Sequence, residues 1–151
     1  MKILLAIDGS ECSDEAVSEV ANRPWPVGAE IKVFSVAKLM IPNTPDPFLV
    51  VAAKYRELLD AQHKRAQAAI EKATAVLREG TGTKELPITT RVREGNPKAE
   101  ILDEAEEWSA DFIVMGPHGH SALGRFLMGS VSHAVMSHAP CSVEIVRHKT
   151  D

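Results

Sequence analysis

Strand-like and helix-like apolar patterns alternate along the whole chain, and this alternation restricts the fold more than any other feature. Strands separated by helical patterns require crossovers, so the strands pair in parallel and the helices cover the sheet. The first strand spans about Lys2 to Asp8, and Asp8-Gly9-Ser10 turns the chain. Ser13 followed by Asp14 and Glu15 reads as a helix cap with acids in the first turn, and Ala16, Val17, Val20 and Ala21 form that helix's buried stripe. Pro24 and Pro26 stop it. A second strand, about Glu30 to Val36, carries Ile31, Val33, Phe34 and Val36. After the loop punctuated by Pro42, Pro45 and Pro47 comes a long helix, roughly Pro47 to Arg78. Its apolar residues Val51, Tyr55, Leu58, Leu59, Ala66, Ala69, Ile70, Ala73, Val76 and Leu77 recur at three and four, the spacing of a face packed on a sheet.

The third strand, Ile88 to Glu94, sets Ile88, Thr90 and Val92 against Thr89, Arg91 and Arg93, as a half-buried or edge strand does. Asn96-Pro97 reads as a cap with a first-turn proline, followed by a helix whose inner face is Ala99, Leu102, Ala105 and Trp108. Asp111 to Gly116 is a strand with an unbroken apolar run, as a central parallel position requires. The last helix starts near Ser130 with Val131, Ala134 and Val135 inward and stops before Pro140; Val143, Ile145 and Val146 close the sheet. The expected architecture is α/β: one domain over residues 1–151, an open five-stranded parallel sheet in the order 3-2-1-4-5 with helices on both faces.

Where an oily strand breaks into glycines, a backbone approaches a ligand closely. Gly116-Pro117-His118-Gly119 follows Phe112-Ile113-Val114-Met115 directly, and nine residues later come Gly129-Ser130 at a helix start. Amides at a helix N-terminus point at an anion with the helix dipole behind them. In a sheet of this order the ligand crevice opens between strands one and four, beyond their carboxyl ends. Asp8 closes strand one and Gly116 closes strand four, so the acid and the glycine loop are expected to face each other. Gly129, Ser130 and Ser132 then offer amides and hydroxyls to a polyphosphate, and Val36 offers an apolar surface to a base.

Composition narrows the partners. A formal charge of −4 argues against nonspecific nucleic-acid or anionic-membrane binding. No stretch of about 18 apolar residues spans a membrane, and the opening strand is too short for a secretion signal. Two cysteines, Cys12 and Cys141, give neither a metal spacing nor a disulfide framework, so a reducing cytoplasm is the expected setting. His133 and His138 lie five apart, off a common helical face, so no zinc pair is expected; His63 and His148 read as exposed.

These motifs together resemble the universal stress protein family over essentially the whole chain. Ile3-Leu4-Leu5-Ala6-Ile7-Asp8-Gly9-Ser10 is similar to that family's opening strand and turn. Gly116-Pro117-His118-Gly119, nine residues, then Gly129-Ser130 is similar to its ATP-binding signature, and Pro140-Cys141-Ser142-Val143 to its closing proline and strand. The resemblance implies an adenine nucleotide alpha hydrolase-like fold and an ATP-binding, commonly homodimeric regulatory protein of the stress response. It further implies magnesium or manganese held through the phosphates. By position, ATP binding would fall to Ala6, Ile7 and Asp8 after strand one, Val36 near the base, Met115, Gly116, His118 and Gly119 along the nucleotide, and Gly129, Ser130, Val131 and Ser132 at the phosphates. Three positions depart from the family pattern. His120 stands where arginine or lysine is frequent, Pro117 stiffens the loop, and Glu144 puts a charge on the strand that pairs in family dimers.

Two other classes stay open on sequence. One is slow ATP hydrolysis or phosphotransfer, with His118 positioning a water but no Walker lysine. The other is a nucleotide-independent protein-interaction module using the long helix or the proline-rich loop.

Overall fold

The computed structural model describes residues 1–38, 48–119 and 128–147, with side chains of residues 48–53 left aside. Five strands and four helices alternate: β1 (Lys2–Ile7), α1 (Glu11–Asn22), β2 (Glu30–Lys38), α2 (Phe48–Glu79), β3 (Ile88–Gly95), α3 (Pro97–Glu107), β4 (Phe112–Met115), α4 (Ser130–His138) and β5 (Ser142–Ile145). All pairings are parallel, as the alternation predicts, and the order is the expected β3-β2-β1-β4-β5. Central β1 is sequestered on both faces, Ile3 to Ile7 being buried throughout. Its period of two sends Ile3, Leu5 and Ile7 toward one apolar layer and Leu4 and Ala6 toward the other. The first layer packs Ala16, Val17 and Val20 of α1 and Ala69, Ile70, Ala73 and Leu77 of α2. The second packs Ile101 and Ala105 of α3 and Val135 of α4. Burying each valine, leucine or isoleucine of these layers is worth about 1.5–3 kcal/mol, so the two layers supply most of the drive to fold.

Several local expectations shift. Helix α1 begins at Glu11, not after Ser13: Ser10 is the N-cap, extended at φ −77° and ψ 163°, and its Oγ accepts the Ser13 amide at 3.3 Å. Ser13 sits one turn in and donates its hydroxyl back to the Ser10 carbonyl at 2.9 Å. A serine three residues after another serine can satisfy either end of that exchange, which is why sequence alone misplaced the cap. Ala99 is exposed, because the α3 stripe follows Ile101 and Ala105 instead. Val76 is exposed as well, with Ala73 and Leu77 occupying the sheet-facing positions of α2. Thr90 faces solvent on the edge strand β3. Val51 of the expected stripe lies outside the described side chains.

Two charged features hold the margins of the sheet. Glu104 of α3 is fully buried, its Oε1 2.7 Å from Lys32 Nζ and its Oε2 2.9 Å from Arg91 and 3.2 Å from Arg93. The contacts at Oε2 are ion pairs without well-formed hydrogen bonds. On the other margin, Glu144 of β5 takes two hydrogen bonds from Arg23, at 2.7 and 2.5 Å, as α1 ends. Those bonds hold the Arg23 guanidinium firmly protonated. The charge that sequence placed on the edge strand is therefore matched within the chain. His63, expected to be merely exposed, pairs with Glu94 at the end of β3.

Candidate functional site

The carboxyl ends of β1 and β4 lie side by side, Ala6 opposite Met115, and the turns that leave them form the candidate site. Sequence places an acid, a glycine and a serine after β1, and each has a local task. Asp8 Oδ1 accepts the Ser10 amide at 3.0 Å and the Ser10 hydroxyl at 2.6 Å, an Asx turn that launches α1. Between them Gly9 has φ +78°, which a side chain would resist. Ile7 ends the strand with its carbonyl accepting the buried Ser35 hydroxyl at 2.9 Å. Asp8 is thereby held exposed at the lip of the crevice.

The loop after β4 closes on this turn by shedding side chains. At Gly116 an added Cβ would lie 2.8–2.9 Å from the backbone C, O and Cβ of Cys12, so α1 and the loop touch there with no room between. At Gly119 an added Cβ would collide with Asp8 Oδ2. Acid and loop, more than a hundred residues apart in sequence, are thus in direct apposition, as the switch-point argument predicts. Gly129 completes the cradle. A Cβ there would meet His118 Cα at 3.1 Å and the Pro117 carbonyl at 3.3 Å.

Two hydrogen bonds lock the loop to the start of α4. The Gly129 amide donates to the Pro117 carbonyl at 2.8 Å, and the buried Ser132 hydroxyl donates toward the same carbonyl at 2.5 Å. Ser132 Oγ also lies 3.0 Å from the Gly129 carbonyl. In this structure the Gly129 amide and Ser132 hydroxyl therefore buttress the loop, rather than lying open to a ligand. Ser130, exposed at the first position of α4, remains beside the loop with the helix N-terminus behind it. Val131 packs on the second apolar layer, as do Met115, Ala6 and, partly, Val36 at the far side of β1. His120 lies outside the described residues.

Sequence missed one pairing here. Cys12, in the first turn of α1, sits with its Sγ 3.2 Å from Nδ1 of His118. Burial raises the thiol above its ordinary range, and the charges of Asp8, Glu11 and Glu15 raise it further. Cys12 is therefore a protonated thiol, unsuited to act as a nucleophile at neutral pH. Only the fold brings the two together; in sequence their separation of 106 residues hides the pair.

Among the described residues no group of three or more histidine, cysteine or acidic side chains could hold a metal ion. No described helix is long and apolar enough to cross a membrane.

A doubly covered parallel sheet, with an acid and a glycine loop in apposition at its switch point, defines a Rossmann-like α/β domain. The chain belongs to the universal stress protein family, whose model matches residues 1–147. It is 32% identical over 148 residues to a universal stress protein of Methanocaldococcus jannaschii, covering 97% of this chain and 81% of that one. The structure of the universal stress protein UspA from Lactobacillus plantarum matches with a TM-score of 0.82 at 27% identity, over 97% of each chain. A further universal stress protein, solved in complex with cAMP, shares the fold at 24% identity with a TM-score of 0.65, over 99% of this chain and 98% of that one.

Proposed function

We propose that the crevice between β1 and β4 binds an adenine nucleotide, ATP in the first instance, and that the protein acts as a nucleotide-dependent regulator in the stress response. The observation that carries this reading is the side-chain-free cradle: a Cβ at Gly116 or Gly119 would strike Cys12 or Asp8, and one at Gly129 would crowd the His118 backbone. Backbone so stripped, beside a helix N-terminus, suits phosphate oxygens. The cAMP complex of a fold neighbour supports the choice of an adenine nucleotide.

Within this reading the base packs toward Val36, while Ala6, Ile7 and Asp8 border the nucleoside. Met115, Gly116, His118 and Gly119 run along the nucleotide and Ser130 meets the phosphates, on a loop that Gly129, Val131 and Ser132 support from behind. Magnesium or manganese would be carried in by the phosphates, with Asp8 the acid that faces Gly119 in the cradle. A single helix N-terminus contributes only about 0.3–1 kcal/mol to an anion, so several amides and burial of the base must combine to reach about −8 kcal/mol, the value for micromolar binding. Two free thiols, Cys12 and Cys141, suit a reducing cytoplasm. A homodimer is also part of this reading, and Arg23 removes one objection to it by neutralising the charge on β5.

Isothermal titration with Mg·ATP tests the proposal. Binding in the micromolar range, abolished by Gly119→Val and by Gly129→Val in variants that still melt cooperatively, supports it. No heat with the wild-type protein, or wild-type binding by both variants, overturns it. Light scattering behind a sizing column decides the dimer.

A further inference from the structure

The Cys12–His118 contact joins the start of α1 to the middle of the glycine loop, and the backbone on both sides of it is held in place. Cys12 is fixed by the Ser10 cap on one side and by Gly116, packed against its backbone, on the other. The backbone of His118 is fixed by Gly129, which leaves no room behind it, and by the two hydrogen bonds that hold Pro117. Both side chains are half-buried, so the imidazole is only partly able to trade this partner for water.

The proton in this contact has a preferred side. Burial and the acids Asp8, Glu11 and Glu15 keep the sulfur protonated. A thiol is a weak acceptor, whereas an unprotonated imidazole nitrogen is a good one, so S–H donating to Nδ1 is the better arrangement. A neutral imidazole whose Nδ1 accepts must carry its own proton on Nε2. The other tautomer would turn a lone pair, rather than an N–H, outward from Nε2. Against an anion the two differ in sign: Nε2–H donates to a phosphate oxygen, while a bare Nε2 repels it.

We propose that Cys12 is a positioning residue: its thiol holds His118 as the Nε2–H tautomer, so that the loop presents a donor to a phosphate oxygen of the bound nucleotide. The nucleotide half of this inference rests on the proposed function above, whereas the tautomer half concerns the free protein and stands apart from it. Cys12 would touch no ligand atom, and its effect would travel entirely through the ring of His118.

The test is nitrogen-15 NMR of the histidine rings in nucleotide-free full-length protein, at about pH 8 where free imidazole is neutral. It is run on wild type, Cys12→Ser and Cys12→Ala, alongside ATP titration and thermal melts of the same three. Expected are a protonated Nε2 and bare Nδ1 for His118 in wild type and in the serine variant, which keeps a donor. The alanine variant should show a mixed population. ATP affinity should fall in Cys12→Ala by the fraction of the Nε2–H tautomer lost, about twofold for an even mixture, and return toward wild type in Cys12→Ser. A wild-type His118 protonated on Nδ1, a tautomer unmoved in Cys12→Ala, or a moved tautomer with unchanged ATP affinity overturns the inference. Were wild type to bind no ATP while its tautomer pattern held, the nucleotide reading would fall and the role of Cys12 in fixing the ring would survive it.

Discussion

Replacing Glu104 by alanine separates what holds the sheet from what forms the site. The carboxylate is fully buried under α3, 2.7 Å from Lys32 and within 3.2 Å of Arg91 and Arg93. Removing one member of a buried ion network costs about 3–5 kcal/mol, because the partners left behind have lost their water and gained nothing. Three features place this case at the low end. Arg91 is 46% exposed and can turn to solvent; Arg93, 16% exposed, retains Glu100 and Glu107. Lys32 retains the face of Trp108 at 4.4 Å. A loss of about 3 kcal/mol follows, which for a chain of this size lowers Tm by about 6–12 °C. Urea denaturation of wild type and variant, with the slope m held common, measures it directly. Because Glu104 faces β2 and β3 and not the glycine loop, ATP affinity should stay within about twofold. A loss below about 1 kcal/mol would refute the reasoning: the cations would then be resolvating freely, as in a surface pair.

Ser10→Ala should destabilise the protein by about 1 kcal/mol in urea, through loss of the α1 cap, while Ser13→Ala costs less because its hydroxyl only reinforces that turn. Ser132→Ala removes the hydroxyl that pins Pro117, and is expected to cost about 1 kcal/mol in urea and to weaken ATP binding several-fold by titration. Both cysteines are held above their usual range, chiefly by burial, so the folded state keeps protons that the unfolded chain releases from about 9.0 upward. Stability from this source is therefore complete below pH 9.0 and declines as pH rises beyond it. The Cys12→Ser/Cys141→Ser double variant should show a shallower alkaline fall in urea midpoint than wild type, and equal slopes would contradict the assignment.

How much was legible in the sequence depended on whether the cause was local. The strands, the helices and their parallel pairing follow from hydrophobic periodicity and crossover rules, which neighbours in sequence carry; the strand order, and with it the approach of Asp8 to the glycine loop, is fixed only when the sheet assembles. The glycines announced themselves because a missing side chain is visible in the sequence wherever it occurs. Sequence puts the N-cap at Ser13, three residues late, because Ser10 and Ser13 are chemically alike, and only the backbone angles at Ser10 distinguish them. Glu104 reads as one more acid on a polar helix face until β2 and β3 bring three cations to it.

Amino-acid order alone determined the alternating strands and helices of a parallel α/β sheet and supplied an acid and a glycine-lined turn at strand ends, since period, turn chemistry and residue size are properties of short stretches. Tertiary structure alone decided that the Ser132 hydroxyl is spent on the loop, that Arg23 answers Glu144, and that Cys12 meets His118. Each of these joins groups from separate elements, and such contacts exist only once the sheet has fixed where those elements begin and end.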